Sequence, residues 1–545
     1  MTNIASLLQI QAQATPHQLA IATPHRSISF ADLETAVRQA TTLLRRSHLH
    51  PGDTALVFQP MSVELYIVLL ALFRVGMTAL FIDPSAGLSH LENCCALCPP
   101  QALIASSKAH LLRLRSPALQ QIPVKFAIGL PVPGAKRWDD QRELGDGAIA
   151  PVQPTDPALI TFTSGSTGQP KAAVRSHAFL LAQHQVLAAT LQLTPGHLDL
   201  TTLPIFGLAN LASGVTSLIP NADLRFPGRI PAAQVIAQIQ THQPQSIAAS
   251  PALLERLADY CEQNHLTLPS FQKIFSGGAP VFPQLLTRLQ TLAPQAQVTA
   301  VYGSTEAEPI AHLHATDLQP EDRAAMVQGK GLLTGQIIDA IHLEILPDRW
   351  GTPLQPLTQS EFAALTLPKG AIGEIVVSGS HVLPSYLGGR GNAETKFQVE
   401  GVPWHRTGDA GYRDEQGRLW LLGRCSARIE DEQGVIYPFA VEAAALQDGV
   451  RRTALVSLNG QRVLVVEWER AIAHNPQQQQ ICLEELRRSL SWVNLHAFHP
   501  CPHIPVDKRH NAKIDYPALI AMLSRDSRGG WGKGKGERGR GKGIH

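Results

Sequence analysis

Four hydroxyls, two glycines and a lysine fall within nine residues at Thr163–Lys171, TSGSTGQPK. Glycines let successive backbone N–H groups turn towards an anion, and hydroxyls and an ammonium reach further oxygens, so this segment has the chemistry of a polyphosphate cradle. It does not satisfy GxxxxGK[ST], because Pro170 precedes the lysine and Ala172 follows it. Taken alone, its lesser alternative is a polar surface turn. A second group, Tyr302-Gly303-Ser304-Thr305-Glu306, offers an aromatic face, two hydroxyls and a carboxylate. Such a set can stack a base, hold a phosphate and bind Mg2+ through one carboxylate plus phosphate oxygens. Glu306 by itself reads as well as an acid at a helix N-terminus. Asp409, in Arg406-Thr407-Gly408-Asp409, can accept hydrogen bonds from both hydroxyls of a ribose, or serve as a turn aspartate.

Residues of this kind need rigid elements to aim them. Ala158–Gly168 (ALITFTSGSTG), Ile274–Pro280 (IFSGGAP) and Val298–Glu306 (VTAVYGSTE) share one format, a short apolar strand that runs into a loop of small and polar residues. Ligands of open α/β sheets sit beyond the carboxyl ends of the strands, so three such loops point to one shared pocket. Upstream, residues 1 to about 150 alternate helical and extended patterns. Ser29–Arg46 reads as a helix ending in basic residues, and Asp53–Phe58 as a buried strand. From Gly373 the pattern becomes Gly-rich β structure, with Asp-Glu-Gln-Gly at 414–417 as a hairpin turn. A smaller α+β segment follows Arg424 to about Leu523. Within it, HNPQQQQ at 474–480 reads as a disordered loop, and the Gly-rich tail after Leu523 as disordered.

Composition removes several function classes. The chain has 545 residues and a net charge of +2, with 17% charged residues against about 25% in typical domains. Ser524–His545 holds seven basic side chains against Asp526 and Glu537, which leaves the preceding body mildly acidic. A dedicated nucleic-acid-binding domain would show a basic face of its own, so no specific nucleic-acid partner is expected. The start lacks a basic region followed by an apolar one, and Leu65–Asp83 is interrupted by Arg74 and Gly76. A bilayer span needs about 20 apolar residues. The stretch therefore reads as a buried helix and strand, and the protein is expected to be cytoplasmic. Seven scattered cysteines, of which Cys95 and Cys98 have no second ligand pair nearby, read as buried thiols in a reducing compartment.

TFTSGSTGQPK, YGSTE, RTGD with the following Gly423-Arg424, and NAKID at 511–515 occur in the order of the acyl-adenylate-forming (ANL) superfamily of AMP-dependent synthetases and ligases, which residues ~1 to ~523 resemble. The resemblance implies an α/β fold: a large N-terminal adenylation domain at 1–423, built from two α/β layered subdomains and a β-rich one. A hinge at 424–427 and a small mobile α+β domain at 428–523 would follow, with 524–545 as a tail outside the match. It implies ATP and Mg2+. It assigns Thr163, Ser164, Gly165, Ser166, Thr167, Gly168 and Lys171 to the β- and γ-phosphates, and Gly278, Ala279 and Pro280 to the adenine and acyl walls. Tyr302 would stack on adenine within the Gly303-Ser304 loop. Thr305 would hold the α-phosphate, Glu306 the Mg2+, and Asp409 with Arg424 the ribose. Lys513 would bridge the carboxylate and the α-phosphate, where an anion must approach an anion.

Finer segments resemble the β-lactone synthetases of long-chain olefin biosynthesis: IDPSAG at 82–87, LPIFGLANLASG at 203–214, ASPALLERL at 249–257, RRTALVSL at 451–458 and IPVDKRHNAKI at 504–514. That group adenylates a β-hydroxy acid, whose own hydroxyl then attacks the acyl carbon, a step that proximity favours. The implied partners are a long-chain carboxylic acid and other olefin or hydrocarbon pathway enzymes. The basic tail is a candidate for peripheral membrane contact. The acidic run Arg428–Gly434 (RIEDEQG) would repel the phosphates of CoA. A fatty acyl-CoA ligase is the alternative, and an ATP-binding pseudoenzyme or adaptor with a basic tail is the alternative from another class. Three positions depart from the wider pattern: Gly207 where many acyl-CoA synthetases have His, Ser426 at the hinge where Asp or Lys is common, and Ala172 in place of Gly.

Overall fold

Ser29 begins the first long helix because its Oγ accepts the Asp32 amide at 3.1 Å, satisfying one of the free N-terminal donors. In that helix, Phe30–Arg46, the residues Phe30, Leu33, Val37, Ala40 and Leu44 recur at helical spacing and are buried. They pack in one core with the helix Val63–Val75. Every residue of the latter except Glu64 is buried, which suits an inner helix. It ends at Gly76 in the left-handed conformation and leads to the strand Thr78–Phe81, the helix and strand expected at Leu65–Asp83. Among the described residues no helix is long and apolar enough to cross a membrane.

The computed structural model describes residues 2–83, 86–140, 144–164, 170–506 and 514–526, apart from the side chains of Thr163, Ser164 and Asp526. Two large sheets carry the fold. The first has seven strands in the order Lys136–Arg137, Val124–Ile128, Ala102–Ser106, Thr54–Phe58, Thr78–Phe81, Pro157–Ser164 and Pro170–Ser176. All neighbours are parallel except the last pair. The second has fourteen strands among the described residues, two of them, Ser27–Ser29 and Lys396–Val399, pairing with Leu19–Ala22 and Val402–Arg413. Its parallel part runs Leu19–Ala22, Thr216–Leu218, Leu198–Thr201, Ser246–Ala249, Lys273–Gly277 and Gln297–Ser304. It continues antiparallel through Ala307–His314, Leu332–Ile337, Leu419–Arg424, Val402–Arg413, Gly373–Ser378 and His342–Leu346. The β-rich segment thus extends the second α/β sheet on one hydrogen-bonded ladder. Its 414–417 turn is a hairpin closed by the Asp414 amide on the Arg418 carbonyl at 2.9 Å, with Gly417 at φ +79°.

A three-stranded sheet, Val450–Leu458, Gln461–Trp468 and Ala497–Pro500, forms the centre of the C-terminal part. Tyr437 donates to Asp348 at 2.8 Å and Arg428 pairs with the same carboxylate at 3.0 Å, tying this part to the large sheet. The 474–480 segment is no loop. Asn475 caps a helix, Pro476–Ser489, by accepting the Gln478 amide at 3.2 Å, and Pro476 occupies the first turn. Glutamine is a good helix former, and burial of Leu486 at the far end anchors the turn that low hydrophobicity had marked as unstructured.

Candidate active site

The end of the strand Gln297–Ser304 meets the seven-stranded sheet through Arg175. Arg175, on the edge strand of the seven-stranded sheet, is buried. Its guanidinium donates to Thr161 Oγ1 at 2.9 Å and crosses to the Thr305 carbonyl at 2.9 Å in the other sheet. The chain reverses between Gln297–Ser304 and Ala307–His314, and that turn carries the YGSTE residues. A Cβ at Gly303 would stand 2.9 Å from the Ala307 carbonyl oxygen, so glycine is what lets this reversal close.

Around the turn lies a network of ionisable groups. Tyr302 donates to Asp409 Oδ2 at 2.7 Å, and Arg424 donates to Asp409 Oδ1 at 2.7 Å. Asp409 therefore links the aromatic ring to the last residue of the large sheet. Burial and the Asp409 charge push the Tyr302 phenol up, while Asp409 holds the Arg424 guanidinium firmly charged. Tyr386 donates to Glu306 Oε1 at 2.7 Å. The Tyr386 ring has Lys396 Nζ 5.5 Å from its centroid and Lys171 Nζ at 5.9 Å. Lys171 pairs with Glu394 at 2.6 Å. Gly391 makes room for that contact, since a Cβ there would meet Lys171 Cδ at 2.6 Å.

Burial opposes the charge on Glu306, but His405, the Tyr386 hydroxyl and Lys396 outweigh it and hold the carboxyl below its ordinary range. Burial pushes Lys396 down to about 7 against the pull of Glu306, and with Lys396 it pushes His405 down to about 3. Beside these groups opens a cleft lined by Leu191, Phe206, Phe275, Val301, Gly278 and Gly303 among others. Among its lining residues Glu308 is the one ionisable side chain. Burial raises its carboxyl above the ordinary range, opposed by Arg175. Ser276 Oγ, also on the wall, is buried without a hydrogen-bond partner.

Lysine, aromatic ring, ionised carboxylate and apolar cleft thus meet at one place. Residues 8–387 match the family model of AMP-binding enzymes. The chain belongs to the AMP-binding enzyme family. It is 30% identical to the olefin β-lactone synthetase of Stenotrophomonas maltophilia, with 96% of this chain and 98% of the relative aligned. It is 31% identical to that of Xanthomonas campestris over the same shares. The fold matches an amide bond synthetase from Marinactinospora thermotolerans with a TM-score of 0.78 and 20% identity, covering 95% of this chain and 99% of that one. The protein is accordingly an adenylate-forming, AMP-forming ligase of the ANL superfamily that uses ATP.

Within this AMP-binding enzyme the structure brings together Lys171, Tyr302, Gly303, Thr305, Glu306, Asp409 and Arg424. Gly278 lines the cleft, and Ala279 and Pro280 follow it without lining it. Gly165, Ser166, Thr167, Gly168 and Lys513 lie outside the described residues, as do the tail residues 527–545. Glu394, Tyr386, Lys396, His405, Arg175 and Glu308 escaped the sequence reading, because no local pattern marks a residue whose partner is far along the chain. Gly207 has a packing reason: a Cβ would fall 1.9 Å from the Tyr66 hydroxyl, so any larger residue there requires the buried Tyr66 ring to move. The acidic-entry argument is narrower than the sequence indicated. Asp431 is engaged by Arg462 at 2.7 Å, and Glu430 lies 3.7 Å from Arg428, leaving Glu432 as the exposed acid of the three without such a pair.

Proposed function

We propose that this enzyme adenylates a long-chain β-hydroxy acid and closes the acyl-adenylate to a β-lactone, releasing AMP. Similarity over nearly the whole chain to two olefin β-lactone synthetases carries the reading. The apolar cleft beside the phosphate-binding elements supports it. In this reading the Thr163–Lys171 loop receives the β- and γ-phosphates, with Lys171 exchanging Glu394 for a phosphate oxygen. Gly278, Ala279 and Pro280 flank the adenine and acyl walls, and Tyr302 stacks on adenine. Thr305 takes the α-phosphate, Asp409 and Arg424 take the ribose, and Lys513 neutralises the charge where carboxylate meets phosphate. The chain divides at 424–427 into the adenylation domain and a mobile small domain.

Among the described residues no group of three or more His, Cys, Asp or Glu side chains could hold a metal by itself. Mg2+ is commonly bound by one or two carboxylates plus substrate phosphates, and the ionised Glu306 is a fitting carboxylate. Bound there, the ion would neutralise charge on the phosphates. In the second half-reaction the β-hydroxyl oxygen attacks the acyl carbon, the bond from that carbon to the phosphate oxygen breaks, and AMP leaves. Glu308, on the cleft wall, would take the hydroxyl proton, and the burial that raises its carboxyl makes it a stronger base than an exposed carboxylate.

The test is incubation of the full chain with Mg2+-ATP and a 2-alkyl-3-hydroxy long-chain acid, with and without CoA. Release of AMP, pyrophosphate and lactone without CoA is expected. Product that forms only with CoA would replace the reading with an acyl-CoA ligase. Lys513→Ala is expected to abolish pyrophosphate release while ATP still binds, and unchanged adenylation would refute its role.

A further inference from the structure

The three large hydrophobic side chains most exposed among the described residues, Leu114 at 78%, Leu130 at 76% and Leu111 at 63%, fall at one place. They follow two parallel neighbours of the seven-stranded sheet, Ala102–Ser106 and Val124–Ile128, which finish side by side at Ser106 and Ile128. After the first strand comes a tight helix, Ala109–Leu114, with three residues per turn. That period lines up Ala109 and Leu112 against the core and leaves Leu111 and Leu114 in line on the outside. Leu130 stands in the turn after the second strand.

The patch is tied down. His110 Nε2 donates to the Phe126 carbonyl at 2.9 Å beneath the helix, and Arg113 Nη1 donates to the Pro133 carbonyl at 3.2 Å. Ser107 Oγ donates to the Leu130 carbonyl at 2.5 Å, which fixes the turn alongside the helix. The leucines are thus held in water by hydrogen-bonded structure. Apolar surface grouped and exposed in this way marks an interaction site.

Charge indicates the kind of partner. Residues 93–138 hold Lys108, Arg113, Arg115, Lys125, Lys136 and Arg137 and no Asp or Glu, within a body that is acidic as a whole. Lys108 and Arg115 flank the helix and are exposed. Acids at the borders of the segment are engaged. Glu92 accepts from the Ser116 hydroxyl, Asp223, which feels the Lys108 charge, pairs with Arg225 at 2.6 Å, and Asp140 lies 3.9 Å from Arg137. An anionic surface meeting this face finds cations around leucines.

We propose that this face docks the enzyme on an anionic lipid surface, with the leucines entering the apolar layer and the cations meeting headgroup phosphates. Leucine among lysine and arginine is the composition of segments that lie in a membrane interface. Each cation near an anionic bilayer strengthens binding by about fivefold. A fluid hydrocarbon layer accommodates three projecting leucines without a matching pocket for each. The face is separate from the basic tail, and docking there does not depend on the proposed reaction.

The test is sedimentation of the full chain with vesicles of phosphatidylglycerol and phosphatidylcholine in equal parts, and with vesicles of phosphatidylcholine alone. The mixed vesicles should bind it and the neutral ones should not, and binding should weaken as salt rises from about 0.05 M to about 0.5 M. Leu111→Gln/Leu114→Gln/Leu130→Gln should lower the partition coefficient at least about 30-fold. Lys108→Gln/Arg115→Gln, the second variant should the first fail to fold, should lower it about 25-fold. Circular dichroism and melting temperature matching the wild-type chain show that a variant is folded. Wild-type binding by both folded variants would assign vesicle binding to the tail and overturn the proposal. Failure of the wild-type chain to bind mixed vesicles would also overturn it. So would a leucine variant that keeps its vesicle binding while its mass in solution falls, which would make the face an interface between copies of this chain. Vesicle binding is read without substrate, so its outcome is distinct from that of the lactone assay.

Discussion

Glu374 and Arg406 supply the strongest single test of how the site's floor is held. Both side chains are 1% exposed. Arg406 Nε donates to both Glu374 oxygens at 3.1 Å and Nη2 donates to Oε2 at 2.6 Å. The guanidinium has two further acceptors, the Thr352 carbonyl at 2.7 Å and the Arg349 carbonyl at 3.1 Å, and stacks 5.4 Å from the Trp350 ring. Glu374→Ala strips Nε of its acceptors and leaves a buried cation with two carbonyls and a ring. Breaking a buried pair from one side costs about 3–5 kcal/mol. The surviving acceptors place this case near 3 kcal/mol, or roughly a 150-fold change in the opening equilibrium. Hydrogen exchange across Val402–Arg413, the strand that carries Arg406, Thr407 and Asp409, reads that change directly. Amides of Ala102–Ser106 in the other sheet should be unaffected and serve as the internal control. The double variant Glu374→Leu/Arg406→Met should recover most of the loss, because the uncompensated charge is gone. Acceleration below about fivefold in Glu374→Ala, or no recovery in the double variant, would refute the reasoning.

Glu442 gives a pH prediction in the C-terminal part. Burial raises its carboxyl from 4.5 to about 7, against hydrogen bonds from Tyr516 and the Leu455 amide. The folded state binds the proton more tightly than the unfolded one, so the contribution is fully present below about pH 4.5 and is lost as pH rises through about 7. Protection of the Val450–Leu458 amides should fall by up to about 3 kcal/mol across that window. Glu442→Gln should flatten the profile, and an unchanged slope in the variant would count against it. At the cleft, Glu308→Gln should leave pyrophosphate release near wild type while lactone formation slows by about 10²–10⁴-fold. A lactone rate within about threefold of wild type would show that another group takes the hydroxyl proton.

Local features were legible without the fold. The spacing of Phe30, Leu33, Val37, Ala40 and Leu44 gave the helix, the Asp-Glu-Gln-Gly turn gave the hairpin, and two of the three Gly-containing strand ends, those at Gly278 and Gly303, line one cleft. Each of these depends on residues within one or two turns of each other, where periodicity and backbone preference act. The 474–480 segment misled because its polarity hid a cap and an anchor that lie at the two ends of one helix. Partners were a different matter. Lys171 meets Glu394 across 223 positions and Tyr386 meets Glu306 across 80, contacts created by the order in which strands join the two sheets. Strand order is fixed by the burial of many apolar side chains together, a cooperative property that no short window of sequence records. The sequence by itself therefore determined which chemical groups are present: a loop of hydroxyls and glycines, an aromatic, carboxylates and single cations. Only the tertiary structure decided which of these groups are charged beside one another, that Asp431 is engaged by Arg462, and that the Tyr66 hydroxyl occupies the space beside Gly207. Charge state and cavity shape arise from burial and neighbours, and those exist only once distant segments have packed.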